Sequence, residues 1–296
     1  AFNSGGPIVI ETEQGHMPIP AEPRGTGDEM FQFKPGIVTL LGDARFTGPR
    51  TLEVSTSKGD VTVTAAKFLV ATGASAVELP GLEIDGETII TSRHALELRE
   101  QPEAIAIVGA SAIGCEFAYY FNSYGVNVMM FEILDHLVPR EDEEVSIELE
   151  RQFSSQGIEF ATAASVSGVE KQNNRLNVLY EVDGKNLQFA CDKVLLGVGV
   201  RPNTDNIGLE NLGVETVGPG FIEVDGNMRT NVQGVYAVGD VNGKLALAHV
   251  AFDQGVVAAE TIAGYATTPI EDYVNMPRCT YCQPQIASIG LTETQA

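Results

Sequence analysis

Residues 104–117 read AIAIVGASAIGCEF, and this stretch decides the fold. The apolar run before Gly109 is typical of a buried strand, and the residues after it predict a helix that ends at Gly125. A second apolar strand, residues 126–131, follows at once and is closed by Glu132. The pattern predicts a strand–helix–strand unit of a parallel sheet.

The turn inside this unit carries a ligand-binding pattern. Gly109, Ser111 and Gly114 occupy the three fixed positions of the G-x-G-x-x-G turn, with serine in the middle. The first glycine permits the sharp turn, the middle residue lets the backbone approach a pyrophosphate, and the last lets the helix press against the sheet. Serine is small enough for that approach. Glu132, about 20 residues beyond Gly109, is placed to accept hydrogen bonds from ribose hydroxyls and to repel a 2′-phosphate. We therefore expect an NAD site; the alternative is a tight turn in an unrelated α/β domain.

Composition limits the classes of function. The chain has 296 residues and 31 glycines, which favours an α/β protein of more than one domain. Its net charge of -22 makes nucleic acid an unexpected partner. No long uncharged apolar run predicts a membrane span, and four cysteines are too few for a disulfide scaffold. We expect a cytoplasmic protein with no membrane contact. Because the sequence starts without methionine and stops within a pattern, we also expect a fragment.

Two stretches share one order of elements. Residues 51–73 and 175–199 each predict strand, turn, strand and an apolar strand that ends in glycine. The second copy closes the domain that opens at Ala104, so the first copy indicates the end of another such domain. Between them, a helix that stops at Gly157 continues the alternation of strands and helices.

A third stretch points to a second ligand. A short strand ends at Gly239 and Asp240, and a helix is predicted from about Leu245 to Tyr265. An aspartate at the carboxyl end of such a strand faces the crevice where open α/β sheets bind ligands, and it can bond a sugar or ribityl hydroxyl. The following helix N-terminus can stabilise negative charge on a ring carbonyl. The alternative is that Asp240 caps a helix and binds nothing.

Seven stretches occur in an order that resembles one enzyme family. They are ATGASAVELPG, IVGASAIGCEFA, MFEILDHLVPREDEE, GVGVRPNT, GVYAVGDV, LAHVAFDQG and CTYCQPQIASIGLTE. The similarity is expected to run from about Phe31 to the last residue. This order resembles the FAD-dependent pyridine nucleotide–disulfide oxidoreductases, and AHVA with PQIASIGLTE resembles their dihydrolipoamide dehydrogenase branch. The resemblance implies an incomplete and a complete Rossmann-like nucleotide-binding domain with β-meanders, plus the start of an α+β interface domain. The expected boundaries are 1–78 and 203–270 for the FAD domain, 79–202 for the NAD domain and 271–296 for the interface domain.

The resemblance also implies activity, cofactors and partners. In that family hydride passes from dihydrolipoamide through a disulfide and FAD to NAD. The implied NAD residues are Gly109, Ser111, Ala112, Ile113, Gly114, Glu116, Glu132 and Gly199, and the implied FAD residues are Ala71, Thr72, Gly73, Gly239, Asp240, Ala248 and His249. The implied partners are a dihydrolipoamide-bearing protein of a 2-oxo acid dehydrogenase complex and, in the full-length protein, a second copy.

Glu116 is the one supporting catalytic residue expected here. By resemblance it lies beside the nicotinamide and the flavin and pairs with a lysine that this sequence lacks. Burying a carboxylate on the inner helix without a partner is also costly, which independently favours a functional role. The flavin glycine loop, the Cys-x4-Cys redox pair and the C-terminal His–Glu pair are absent from the 296 residues.

Other interpretations stay open. The chain could belong to another NADH-dependent flavoprotein disulfide reductase or NADH oxidase, or it could be a non-catalytic NAD-binding remnant. Cys279 and Cys282 are expected on opposite faces of a strand, which disfavours a redox or zinc pair, while Cys115 and Cys191 are expected to be structural. The four histidines (His16, His94, His136 and His249) are too dispersed to predict a metal site. Residues 1–30 are expected to be loop with a possible hairpin.

Overall fold

A computed structural model of the chain describes residues 8–11, 37–172 and 175–296. It divides the chain into two compact units, residues 1–74 with 202–271 and residues 75–201 with 272–296. We call these the flanking unit and the central unit. His16 and most of the hairpin predicted for residues 1–30 lie outside the described residues.

The described elements alternate between short strands and four helices. The strands are β1 (Ile8–Glu11), β2 (Ile37–Leu40), β3 (Gly42–Gly48), β4 (Thr51–Thr56), β5 (Gly59–Thr64), β6 (Phe68–Val70), β7 (Ala74–Ala76), β8 (Ile89–Ile90), β9 (Ala104–Val108), β10 (Asn127–Phe131), β11 (Glu159–Ala161), β12 (Ser165–Gln172), β13 (Arg175–Val182), β14 (Lys185–Cys191), β15 (Lys193–Leu196), β16 (Val200–Pro202), β17 (Thr216–Val217), β18 (Phe221–Ile222), β19 (Val235–Ala237), β20 (Arg278–Thr280) and β21 (Ile286–Ser288). The helices are α1 (Ser92–Leu96), α2 (Ala112–Ser123), α3 (Glu143–Gln156) and α4 (Ala248–Ala263). None of these helices is long and apolar enough to cross a membrane.

The central unit is built on a five-stranded parallel sheet. Its strand order is β11-β10-β9-β15-β8, so β9 lies between two neighbours and every residue of it is buried. This position explains the continuous apolar run in the sequence, because a parallel sheet covered on both faces has no solvent-facing side. The predicted helix and strand bounds around it are confirmed, with Gly125 and Gly157 in left-handed conformation after α2 and α3.

The repeated pattern is confirmed in both units. In the central unit β12, β13 and β14 form an antiparallel sheet that leads into β15, and in the flanking unit β3, β4 and β5 form another that leads into β6. Asp183 and Gly184 both have positive φ, 52° and 71°, at the turn between β13 and β14. Two such residues in succession are typical of a tight two-residue hairpin turn.

The last described segment belongs to the central unit. Strands β20 and β21 pair antiparallel, and Cys282 and Ile286 lie in the apolar core that contains residues of β9, β10 and α2. The expectation that residues 271–296 begin an interface domain stays a prediction.

The flanking unit has a smaller parallel sheet among its described strands. Strand β6 pairs parallel with β19, and α4 follows a short 3-10 helix, Gly239–Asn242. The predicted limits of the helix, Leu245 and Tyr265, are too wide. Leu247 is still extended before α4 begins, and Gly264 takes a left-handed conformation that ends it.

Candidate functional site: two nucleotide-binding turns

The direction in which strands are added to the central sheet reverses at β9. From β9 the chain runs in one direction to β10 and β11, and it returns on the other side of β9 as β15. Such a point of reversal leaves a crevice at the carboxyl ends of the two strands, where open α/β sheets bind ligands. Gly109 follows β9 at this edge, and Gly197 and Gly199 follow β15.

The glycines of the turn are required by close contacts. Gly109 has φ +100°, and a Cβ placed on it would lie 2.5 Å from the Gly197 carbonyl oxygen. A Cβ placed on Gly114 would lie 1.9 Å from the Gly109 carbonyl oxygen. Both distances are far below van der Waals contact, so the turn and α2 approach the sheet only because these side chains are absent.

Ser111 stands at the mouth of the turn. It is the N-cap of α2, it is exposed, and its hydroxyl makes no capping hydrogen bond. Within the described part of the chain, the Ser111 amide donates to no acceptor. Ala112 and Ile113 follow in the first helical turn, whose amides also lack partners within the helix. Unpaired amides at the start of a helix are the kind of donor that can bind phosphate oxygens.

Glu132 is buried, with 6% of its surface exposed. Its Oε2 accepts from the Ala110 amide at 2.8 Å, and its Oε1 accepts from the Leu134 amide at 3.0 Å. The carboxylate predicted to accept ribose hydroxyls is therefore already bonded to the glycine turn. Each carboxylate oxygen can accept a second hydrogen bond, so the carboxylate retains the capacity to bind a ribose hydroxyl.

Glu116 has a partner that the sequence did not suggest. It is half-buried on α2, and its Oε1 accepts from the Tyr281 amide at 2.8 Å. The carboxylate is thus partly satisfied by the β20–β21 segment, without the lysine that the resemblance implies. The side chain of Tyr281 is itself exposed.

The cysteines of the central unit separate into buried and exposed groups. Cys279 is exposed, whereas Cys282 is buried and donates its thiol to the Pro284 carbonyl oxygen at 3.2 Å. The two thiols thus differ in exposure. Burial, followed by the charge of Glu116, raises the pKa of Cys282 to about 11. Burial also raises the pKa of Cys191 to about 12, so both thiols stay protonated and inert at neutral pH.

A second turn lies in the flanking unit. In the parallel pair β6–β19, Val70 is opposite Ala237, so the residues that follow both strands reach the same edge of the sheet. Ala71, Thr72 and Gly73 follow β6, and Gly239 and Asp240 follow β19 shortly after. Asn203, which sequence reasoning missed, donates its side-chain amide to the Thr72 carbonyl at 2.9 Å and its backbone amide to the Gly73 carbonyl at 2.9 Å.

The Asp240 carboxyl is half-buried, and burial raises its pKa above the ordinary value. No donor faces this carboxyl among the residues that the structure describes. The turn beneath it is held by Gln254, whose Oε1 accepts from the Gly239 amide at 2.6 Å and from the Asn242 side chain at 3.0 Å. Gln254 is fully buried, and nothing in the sequence pattern distinguished it.

Ala248 and His249 are the first two residues of α4 and both are exposed. The 3-10 helix that contains Asp240 ends at Asn242, and α4 begins soon after it. A Cβ placed on Gly239 would lie 3.6 Å from the Ala251 Cβ, so the first turn of α4 packs beside the turn that carries Asp240. The predicted NAD residues lie in the central unit and the predicted FAD residues in the flanking unit.

One family model matches most of the chain. The family is described as pyridine nucleotide-disulphide oxidoreductase, and the match covers residues 4–255. The match therefore begins before Phe31, the expected start of the resemblance.

Curated relatives and solved structures agree with the family match. The chain is 42% identical to dihydrolipoyl dehydrogenase of Mycobacterium leprae over 93% of its own length and 60% of the relative, and 38% identical to that of Corynebacterium glutamicum over 100% and 64%. LpdA from Mycobacterium tuberculosis superposes with a TM-score of 0.78 at 30% identity, over 86% of this chain and 56% of that one. The HOCl-induced flavoprotein disulfide reductase RclA from Escherichia coli gives a TM-score of 0.77 at 27% identity, over 86% and 57%. The chain thus spans about 60% of the length of the curated relatives it matches.

Proposed function

The chain belongs to the pyridine nucleotide-disulphide oxidoreductase family, and from that premise we propose that it carries the nucleotide-binding part of a dihydrolipoyl dehydrogenase. The proposed reaction moves electrons from a dithiol, through a disulfide and FAD, to NAD. The observation that carries the proposal is the glycine turn after β9, closed by Glu132 and set at the point where the strand order reverses.

The residues of the central unit fit NAD. The absent side chains of Gly109 and Gly114 let α2 approach the sheet, and the Ser111 amide and the first turn of α2 offer unpaired donors to a pyrophosphate. Glu132 would accept from the adenosine ribose and repel a 2′-phosphate, which favours NAD over NADP. Gly199 follows β15 at the same edge of the sheet, with φ +109° and no heavy atom within 4 Å of the place where a Cβ would stand.

The residues of the flanking unit fit the ribityl chain of FAD. A half-buried carboxyl without a donor, Asp240, would accept from a polyol hydroxyl, and the start of α4 at Ala248 and His249 would face negative charge on the flavin pyrimidine. Ala71, Thr72 and Gly73, fixed by Asn203, would line the same edge. When bound, FAD supplies the transfer of electrons between a disulfide and a pyridine nucleotide.

The chain's own residues support binding and orientation rather than dithiol chemistry. The 296 residues hold no Cys-x4-Cys pair, and three of the four cysteines are buried. Glu116, bonded to the Tyr281 amide, would act as a supporting group beside the nicotinamide. We propose residues 1–78 and 203–270 as FAD domain, 79–202 as NAD domain and 271–296 as the beginning of an interface domain. A homodimer, a dihydrolipoamide-bearing protein as electron donor and a cytoplasmic location complete the proposal.

A second candidate is another flavoprotein disulfide reductase, because the fold is also shared with RclA. The higher identity to the curated dihydrolipoyl dehydrogenases favours the first candidate. A non-catalytic NAD-binding module is the candidate from a different class.

A visible absorption spectrum of the purified chain with added FAD, followed by anaerobic titration with NADH, tests the proposal. Bound flavin that bleaches with NADH would support both cofactor sites and the electron path between them. NADH binding without flavin binding would favour the NAD-binding module. Absence of NADH binding would contradict the proposal, because the glycine turn is the feature on which it rests.

A further inference from the structure

Ala110, which the motif leaves unspecified, holds the glycine turn with both of its backbone polar groups. Its amide donates to Glu132 Oε2 at 2.8 Å. Its carbonyl oxygen accepts from the Val138 amide at 2.9 Å and from the Cys115 thiol at 3.3 Å. Both polar groups of Ala110 are thus bonded on the protein side of the turn, and Ala110 itself is fully buried.

The direction of this carbonyl determines what the turn presents to the crevice. In a trans peptide the carbonyl and the following amide point in opposite directions. The Ala110 carbonyl points inward to Val138 and Cys115, so the Ser111 amide points outward. That amide has no acceptor in the described part of the chain. A rotation of this peptide would turn the donor away from a bound phosphate.

Val138 holds an unfavourable conformation to make its contact. Its φ is +44°, in the left-handed region that a β-branched side chain rarely adopts. Such a residue persists only where its surroundings hold it in place. Val138 is buried in the same core as Cys115, and its amide is the donor to Ala110.

From these contacts we infer that Cys115 and Val138 are positioning residues that lock the Ala110 peptide and so aim the Ser111 amide at the pyrophosphate of a dinucleotide. The inference deepens the proposed function and rests on it for the identity of the ligand. Cys115 therefore does more than fill the core: its thiol is a hydrogen-bond donor to the turn. Burial, with further contributions from Cys282, Glu132 and Glu116, raises the pKa of this thiol well above its ordinary value, so the donor form persists at neutral pH.

Three cysteine variants of the full chain test the inference. Cys115→Ala removes the donor, Cys115→Ser keeps a hydroxyl donor, and Cys191→Ala removes a buried thiol in a different core cluster as the matched control. The dissociation constant for NADH is measured by fluorescence titration. Deuterium uptake of residues 109–114 is measured without nucleotide.

We expect Cys115→Ala to raise the NADH dissociation constant by about threefold to tenfold, the loss expected for one hydrogen bond. It should also speed exchange of residues 109–114. Cys115→Ser and Cys191→Ala should leave both quantities near the wild-type values. Equal effects of Cys115→Ala and Cys191→Ala, or no rescue by Cys115→Ser, would overturn the inference.

The two readouts separate this inference from the proposed function. If the wild-type chain does not bind NADH, the proposed function fails. The exchange measurement then still decides whether Cys115 holds the turn: faster exchange in Cys115→Ala alone supports the lock, and unchanged exchange overturns it.

Discussion

The central and flanking units repeat one order of elements, but the strand that ends this repeat has different sheet neighbours in the two units. Residues 67–73, KFLVATG, align with residues 193–199, KVLLGVG, and in both units this strand follows a three-stranded antiparallel sheet. In the central unit β15 lies between β9 and β8, and Leu195 is 0% exposed. Among the described strands of the flanking unit β6 pairs only with β19, and Leu69 is 44% exposed. The same local pattern therefore gives a buried strand in one unit and a half-covered strand in the other.

The difference shows that an apolar strand contributes stability through its neighbours. A strand with partners on both edges buries the side chains of both faces, whereas a strand with one described partner leaves part of its apolar surface in water. The central unit should therefore tolerate core substitutions less well than the flanking unit.

The largest effect is expected for glycines at the two turns. Gly114→Ala places a Cβ 1.9 Å from the Gly109 carbonyl, a backbone atom that cannot move aside, and should lower the free energy of unfolding by about 3 kcal/mol or more. In Gly239→Ala the nearest atom is the Ala251 Cβ at 3.6 Å, and the positive φ alone should cost about 1 kcal/mol.

Urea denaturation followed by circular dichroism and by thiol labelling measures this pair. All four cysteines lie in the central unit and three of them are buried, so labelling reports the unfolding of that unit alone. Gly114→Ala should advance thiol exposure to lower urea, and Gly239→Ala should not. Equal thiol exposure in the two variants would contradict the difference in contact at the two turns.

The aligned leucines give the next largest effect. Leu195→Ala should destabilise the central unit by about 3 kcal/mol, because it opens a cavity in a fully buried position. Leu69→Ala should cost under about 1 kcal/mol, since the side chain is already partly in water. Thermal unfolding of both variants by calorimetry checks the ratio. Similar costs would mean that Leu69 is covered in solution.

The smallest effect is expected for two aspartates, Asp85 and Asp240, whose pKa values are shifted in opposite directions. Burial acts to raise the pKa of Asp85, but hydrogen bonds from the Thr88 hydroxyl and three amides outweigh it and lower the pKa from 3.8 to about 2. The carboxylate therefore stabilises the fold fully above about pH 4, and this contribution is lost as the pH falls through about 2. Asp85→Asn should cost about 1 kcal/mol at pH 7, allowing for the exposure of the site, and clearly less at pH 2.

Asp240 in the flanking unit should behave in the opposite way. Burial raises its pKa, so the ionised form disfavours the folded state, and Asp240→Asn should raise stability at neutral pH with no gain in acid. Melting temperatures of both variants between pH 2 and pH 7 measure the two signs. A pH-independent shift in either variant would show that the substitution acts through shape rather than charge.

Sequence reasoning predicted the turns well and their surroundings poorly. Gly109 and Gly114 could be assigned because the backbone conformation and the approach of α2 are local requirements of the chain. Glu116 could be selected but its partner could not, since the Tyr281 amide is 165 residues away along the chain. Asn203 was missed for the same reason, because its partner, the Thr72 carbonyl, is 131 residues away along the chain. Gln254 was missed because no sequence motif marks a buried side chain that bonds the Gly239 amide.

The sequence by itself determined the alternation of strands and helices, the two repeated patterns and the glycines at the turns that follow β9 and β19. These features depend on backbone sterics and on the periodicity of apolar residues, which act over a few neighbouring positions. Only the tertiary structure decided the strand order, the lock on Ala110 and the burial that separates Leu195 from Leu69. Those depend on which segments become neighbours in space, because hydrogen-bond partners and excluded water are supplied by residues far away in the chain.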